Sequence, residues 1–233
     1  MRRLYAIAFL IVTTAALSCS GEKSNRTPPV VAEAPTASDA DGPAIVFMGT
    51  SLTAGYGLDR SQAYPALLQG KIDSAGLEYR VVNAGLSGET SAGALRRVAW
   101  LFRQPVMLLA IETGANDGLR GQDPAQLKAN LQAVIDRARR QDPPPALLIL
   151  GMEAPPNLGP AYTEGFRAVY REVARENQAR LVPFLLQGVA GVDSLNQADG
   201  IHPTPKGQAI MAETVWRVLE PMLEEQAVGV NRE

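Results

Sequence analysis

His202 is the only imidazole in 233 residues, so chemistry that needs a base near neutral pH has one candidate. It stands three residues after a carboxylate, in Asp199-Gly200-Ile201-His202-Pro203. On a compact turn this spacing lets the carboxylate hold the Nδ1 proton and leaves Nε2 free to act as general base. A hydroxyl suited to that base occurs in Gly49-Thr50-Ser51-Leu52-Thr53, where Ser51 follows an apolar run and sits at a strand-to-helix turn. The first amides of such a helix favour negative charge developing beside the hydroxyl. Gly88, in Asn83-Ala84-Gly85-Leu86-Ser87-Gly88-Glu89-Thr90-Ser91, can offer a backbone amide unobstructed by a side chain. Asn116, in Gly114-Ala115-Asn116-Asp117-Gly118, can add a side-chain N–H, and the two donors together suit an oxyanion. Each residue also has a plainer role. Thr50 or Ser51 can cap a helix for about 1 kcal/mol, Gly88 and Asn116 can form turns, and a histidine near an aspartate is commonly a surface pair. The Gly-x-Ser-x-Gly elbow is absent, because position 53 is Thr.

Residues so far apart in sequence need a scaffold that brings them to one rim. Short apolar runs alternate with helical patterns along the chain. Ala44 to Met48 is a continuous apolar run ending at Gly49, as expected of a strand buried on both faces. Tyr64 to Ala75 reads as a helix with Pro65 near its start, followed by a strand over Glu78 to Asn83. A helix over Ala92 to Gln104 precedes a strand within Pro105 to Glu112. Asp123-Pro124 pairs an N-cap with a proline at the first helical position. The series ends with a strand at Ala146 to Leu150, a helix from Ala161 to Asn177, a strand at Arg180 to Phe184 and a helix from Pro205 to Glu224. Five βα units in a row predict an α/β fold: a doubly wound three-layer α/β/α sandwich on a five-stranded parallel sheet. Ligands bind such sheets at the carboxyl ends of the strands, where all four stretches above fall.

The rest of the composition narrows the function class. Twenty-two basic and 24 acidic residues give a net charge of −2 and no clustered Lys and Arg for phosphates, so nucleic acid is not expected as a partner. One cysteine and one histidine exclude a disulfide framework and the Cys- or His-rich metal sites, and no metal or cofactor is expected. Residues 1–18, with Arg2, Arg3 and the apolar stretch Leu4 to Leu17, read as a secretory signal too short for a membrane span. The only cysteine follows in Ala16-Leu17-Ser18-Cys19, which resembles a bacterial lipoprotein processing site, although such sites usually carry Leu where Ala16 stands. Lipidation of Cys19 is the expectation, with ordinary cleavage and a free thiol as the alternative. Residues 19–43 are rich in Pro, Ser, Ala and charge, a disordered tether, and residues 44–233 form one domain. The chain is expected to be exported to a bacterial periplasm, anchored by lipid to a membrane and monomeric; Ser20 after Cys19 leans towards the outer membrane.

Four ordered blocks, Gly49-Thr50-Ser51-Leu52, Gly88, Gly114-Ala115-Asn116-Asp117 and Asp199-x-x-His202, resemble those of the SGNH, or GDSL-type, serine hydrolases over essentially the whole domain. Thr53-Ala54-Gly55-Tyr56, Gly88-Glu89-Thr90-Ser91 and Asn116 to Gly121 resemble the bacterial periplasmic branch of thioesterase I/lysophospholipases and arylesterases. The resemblance implies a flavodoxin-like fold, Ser51 as nucleophile, His202 as base, Asp199 as its orienting acid, and an oxyanion hole from the Ser51 and Gly88 amides and the Asn116 side chain. It implies hydrolysis of short- or medium-chain esters, aryl esters, lysophospholipids or acyl thioesters through an acyl-enzyme. It also places the acyl group near Leu119 and near the loop from Met152 through Leu158 to Tyr162. A carbohydrate acetylesterase would share every catalytic residue, and a lipid-binding lipoprotein without turnover could share the fold. The family carries Asp where this chain has Thr50; threonine can still accept an amide hydrogen bond in the turn, at some loss of negative field.

Overall fold

The computed structural model describes residues 42–230. Its apolar runs become five strands: β1 (Ala44–Gly49), β2 (Arg80–Gly85), β3 (Leu108–Ile111), β4 (Ala146–Leu150) and β5 (Arg180–Val182). They pair in the order β2-β1-β3-β4-β5, all parallel, with Val46 opposite Val82 on one side and Leu109 on the other. β1 and β3 are buried at every position, which is why they read as unbroken apolar runs rather than alternating ones.

Among the described residues, seven α-helices flank the sheet: α1 (Ser51–Ala54), α2 (Tyr64–Ser74), α3 (Ser91–Leu101), α4 (Ala115–Leu119), α5 (Pro124–Ala138), α6 (Pro160–Glu176) and α7 (Pro205–Val230). α5 packs between α3 and α6 on one face, and α2 packs on α7 on the other, giving the three-layer sandwich expected from the alternation. The core runs through both layers, with Phe47 and Tyr64 in edge-to-face contact at 5.6 Å on one side and Phe166 meeting Tyr170 in the same way on the other. This is the strand order of flavodoxin-like folds, and the chain reverses its winding direction between β1 and β3. The crevice at the carboxyl ends of those two strands is therefore where a ligand belongs.

Several boundaries differ from the sequence reading. β2 starts at Arg80 rather than Glu78 and runs on to Gly85. β3 lies within Pro105 to Glu112 as expected; Pro105 has no N–H to donate, and the Val106 N–H goes to the side chain of Gln141, at 3.2 Å. β5 stops before Pro183, and α7 continues through Pro221 to Val230. Two short helices, α1 and α4, occupy stretches read as loops. The leader, most of the tether and Cys19 lie outside the described residues.

Candidate active site

Ser51 is the first residue of α1, directly after β1, and its hydroxyl is 2.9 Å from His202 Nε2. His202 Nδ1 is 2.6 Å from Asp199 Oδ2, while Asp199 Oδ1 accepts the backbone amides of Ile201 and His202 at 2.9 and 3.0 Å. The His202 ring, and after it these two amides, hold the Asp199 carboxyl well below the usual carboxylate range. An ionised carboxylate only accepts, so Nδ1 carries the ring proton and Nε2 is left to accept from the Ser51 hydroxyl. The spacing Asp199-x-x-His202 thus forms the compact turn expected of it, and a side chain 151 positions away completes the line.

The turn carrying Ser51 is held from beneath by a residue the sequence reading passed over. Glu112 follows β3 and is fully buried. It accepts the Thr50 amide at 2.7 Å, the Thr50 hydroxyl at 3.0 Å and the Thr53 hydroxyl at 2.9 Å. Thr53 in turn shares a 2.8 Å hydrogen bond with the Tyr64 hydroxyl. Gly49 has to be glycine here, since a Cβ would collide with Thr53 Oγ1 and Glu112 Oε2. Burial pushes the Glu112 carboxyl up to about 7, against the downward pull of its Thr50 and Thr53 hydrogen bonds. Thr50 also accepts the Leu52 amide, at a long 3.5 Å, so it caps α1 as expected of a threonine in that place. The carboxylate that the family carries at position 50 has a counterpart one strand away. The signal was present in the sequence: a glutamate closing the apolar run Val106 to Ile111 cannot remain buried without partners. From the other side, Gln208 of α7 accepts the Tyr64 amide at 2.8 Å and donates to the Leu52 carbonyl at 3.3 Å.

The second rim is built on the loop after β2. The Leu86 amide donates to the Gly49 carbonyl at 2.8 Å, which ties this loop to the Ser51 turn. Arg97 forms a two-pronged pair with Glu89, both contacts at 2.7 Å, and reaches the carbonyls of Gly49 and Ala84. Gly88 has φ of 78°, which side-chain-bearing residues avoid, and open space where a Cβ would stand. Asn116, near the start of α4, donates to the Glu89 carbonyl at 3.0 Å, which orients its amide and leaves a second N–H for another acceptor. The next residue, Asp117, is buried and receives the Ser91 amide and hydroxyl at 2.9 and 2.5 Å, locking α4 against α3. Hydrogen bonds through Leu86 and Glu89 therefore tie the loop that carries Gly88 to the Ser51 turn and to Asn116.

Of the residues assigned to the acyl group, Leu119 and Leu158 are exposed, and Tyr162 donates from its hydroxyl to the Gln122 carbonyl at 2.6 Å. Met152 is buried in the core and offers no open face, so it supports this loop from within. Among the described residues no group of three or more His, Cys, Asp or Glu is gathered to hold a metal ion. A serine, an imidazole and a carboxylate in hydrogen-bonded line, beside free N–H donors, can carry out acyl transfer.

The chain is similar to known proteins. The chain is 47% identical over 180 residues to esterase TesA of Pseudomonas aeruginosa, a match covering 77% of this chain and 89% of that protein. It is 36% identical to thioesterase 1/protease 1/lysophospholipase L1 of Escherichia coli strain K12, covering 77% of this chain and 84% of the relative. A crystal structure of TesA superposes with a TM-score of 0.73 over 76% of this chain and 98% of the other. Residues 47–210, which run from within β1 to beyond His202, match the model of one hydrolase family. With the fold, the order of the blocks and these likenesses in agreement, the chain is a hydrolase of ester bonds and belongs to the GDSL-like lipase/acylhydrolase family.

Proposed function

We propose that this esterase works through an acyl-enzyme, and the unbroken line from Ser51 Oγ through His202 to Asp199 is the observation that carries the proposal. Ser51 Oγ attacks the ester carbonyl while His202 Nε2 takes its proton. The carbonyl oxygen gathers charge against the amides of Ser51 and Gly88 and the free N–H of Asn116. The C–O bond to the alcohol breaks, and His202 returns the proton to the departing oxygen. Water then attacks the Ser51 ester by the same route, releasing the acid and restoring the serine hydroxyl. The substrates are small acyl esters, lysophospholipids or acyl thioesters, with the acyl group against Leu119 and Leu158. A fluorophosphonate probe tests the mechanism, since it reacts only with an activated serine. Labelling of the wild type that is lost in Ser51→Ala and His202→Ala is expected, and an unlabelled wild type would overturn the proposal.

Export and a lipid anchor at Cys19 belong to the same proposal, supported by the Arg2-Arg3 leader and the Leu17-Ser18-Cys19 sequence. The chain is proposed to act as a monomer, because every group of the site comes from a single chain. Fractionating host cells that express wild type or Cys19→Ser tests the anchor. Membrane association lost in the variant is expected, and soluble wild-type protein would show simple cleavage instead.

A further inference from the structure

Resting on the mechanism proposed above, the leaving group has a fixed side: it takes its proton from His202 Nε2, so it departs along the imidazole. The exposed apolar residues Leu119 and Leu158 belong instead to segments on the Gly88 side of the site. Arg120, next to Leu119, donates to the Gly88 carbonyl, and Leu158 approaches Gly121. The imidazole has its own neighbour. Tyr56 stacks obliquely on the His202 ring, with centroids 4.5 Å apart and planes at 38°, and keeps 53% of its surface open. Ile201, directly before His202, is 48% exposed.

Tyr56 does not reach the histidine by accident of a floppy loop. Gln197 donates its side-chain amide to the Tyr56 carbonyl at 2.8 Å and to the Pro203 carbonyl at 3.0 Å, and its backbone N–H to the His202 carbonyl at 2.7 Å. One side chain therefore fixes the tyrosine segment and the histidine segment to each other. We propose that Tyr56, with Ile201 beside it, is the leaving-group subsite, and that it selects esters of aromatic or other flat apolar alcohols over those of short alkyl alcohols. An exposed ring held beside the proton donor gives an aromatic alcohol a face to stack on. A two-carbon alcohol covers little of it.

Benzyl acetate and ethyl acetate test this, because they share an acyl group and release alcohols of nearly equal acidity. The kcat/KM ratio of benzyl to ethyl ester is expected to exceed one in the wild type and to fall about tenfold in Tyr56→Ala. Tyr56→Phe is expected to keep the ratio. The preference between ethyl acetate and ethyl butyrate is expected to stay as it was, since the acyl group lies on the Leu119 side. If Tyr56→Ala slows both acetates equally, the ring only positions His202 and the subsite is overturned. Failure of the wild type to hydrolyse either ester or to label with a fluorophosphonate would instead overturn the mechanism on which the subsite rests.

Discussion

Ser51 and His202 meet at 2.9 Å and share one proton, so their substitutions are expected to be strongly non-additive. Ser51→Ala and His202→Ala each should lower kcat by about 10⁶, and the double variant should be hardly slower than either single one. Multiplicative losses in kcat would show that the two residues do not act in one mechanism. Asn116 makes a separable contribution. Its N–H is proposed to meet the oxyanion only in the transition state, so Asn116→Ala should cost about 10²–10³ in kcat with little change in KM. The same variant also loses the bond to the Glu89 carbonyl, so its unfolding midpoint should drop by no more than about 1 kcal/mol equivalent. Turnover per folded molecule within a few-fold of wild type would make Asn116 a turn residue and nothing more. At this scale the reactive groups were the legible ones: His202 is unique in the chain, and Ser51, Gly88 and Asn116 fall where strands end. Gln197 was not, and Tyr56 was legible only as the end of the block Thr53 to Tyr56, because neither an exposed tyrosine nor a loop glutamine shows a role until the fold sets it beside His202.

At the scale of elements, Glu112 joins the end of β3 to the start of α1, and its titration should be readable as stability. The unfolded chain ionises this glutamate near 4.5, whereas the folded chain holds the proton up to about 7. Unfolding between those values releases a proton, so this group lowers stability as pH rises from 4.5 to 7, by on the order of 3 kcal/mol in all. Urea midpoints at pH 5 and pH 8 should therefore differ more for the wild type than for Glu112→Gln. Equal differences would show that Glu112 is already ionised at pH 5. Thr50 sharpens the test, since its hydroxyl lies 3.0 Å from both carboxylate oxygens. Thr50→Asp sets two carboxyls at that spacing, where one has to keep a proton, so its loss of stability towards pH 8 should be steeper than in the wild type. The regular elements were legible because apolar runs and helical spacing report burial directly. α1 and α4 escaped, since four or five residues hold too little of a 3.6-residue period to show. The ends of β2 moved because pairing partners, not composition, decide where a ladder begins.

For the molecule as a whole, a fully parallel sheet has two unlike ends, and β1 runs between them. Its six residues rise about 3.3 Å each, so Ala44 enters some 17 Å from the place where Gly49 delivers Ser51. All five strands point the same way, and the Ser51, Gly88, Asn116 and His202 segments follow strands β1, β2, β3 and β5 respectively. For a chemist fixing the enzyme to a solid support, this polarity decides the point of attachment. Pro43 is exposed and directly precedes β1, so in a Cys19→Ser background a Pro43→Cys thiol takes the domain from the end of the sheet away from the catalytic mouth. Beads loaded through Pro43→Cys should keep most of their specific activity towards a micellar ester. Beads loaded instead through a cysteine placed by Leu119→Cys in a Cys19→Ser background, at the exposed end of α4, should lose most of the activity that the same variant shows free in solution.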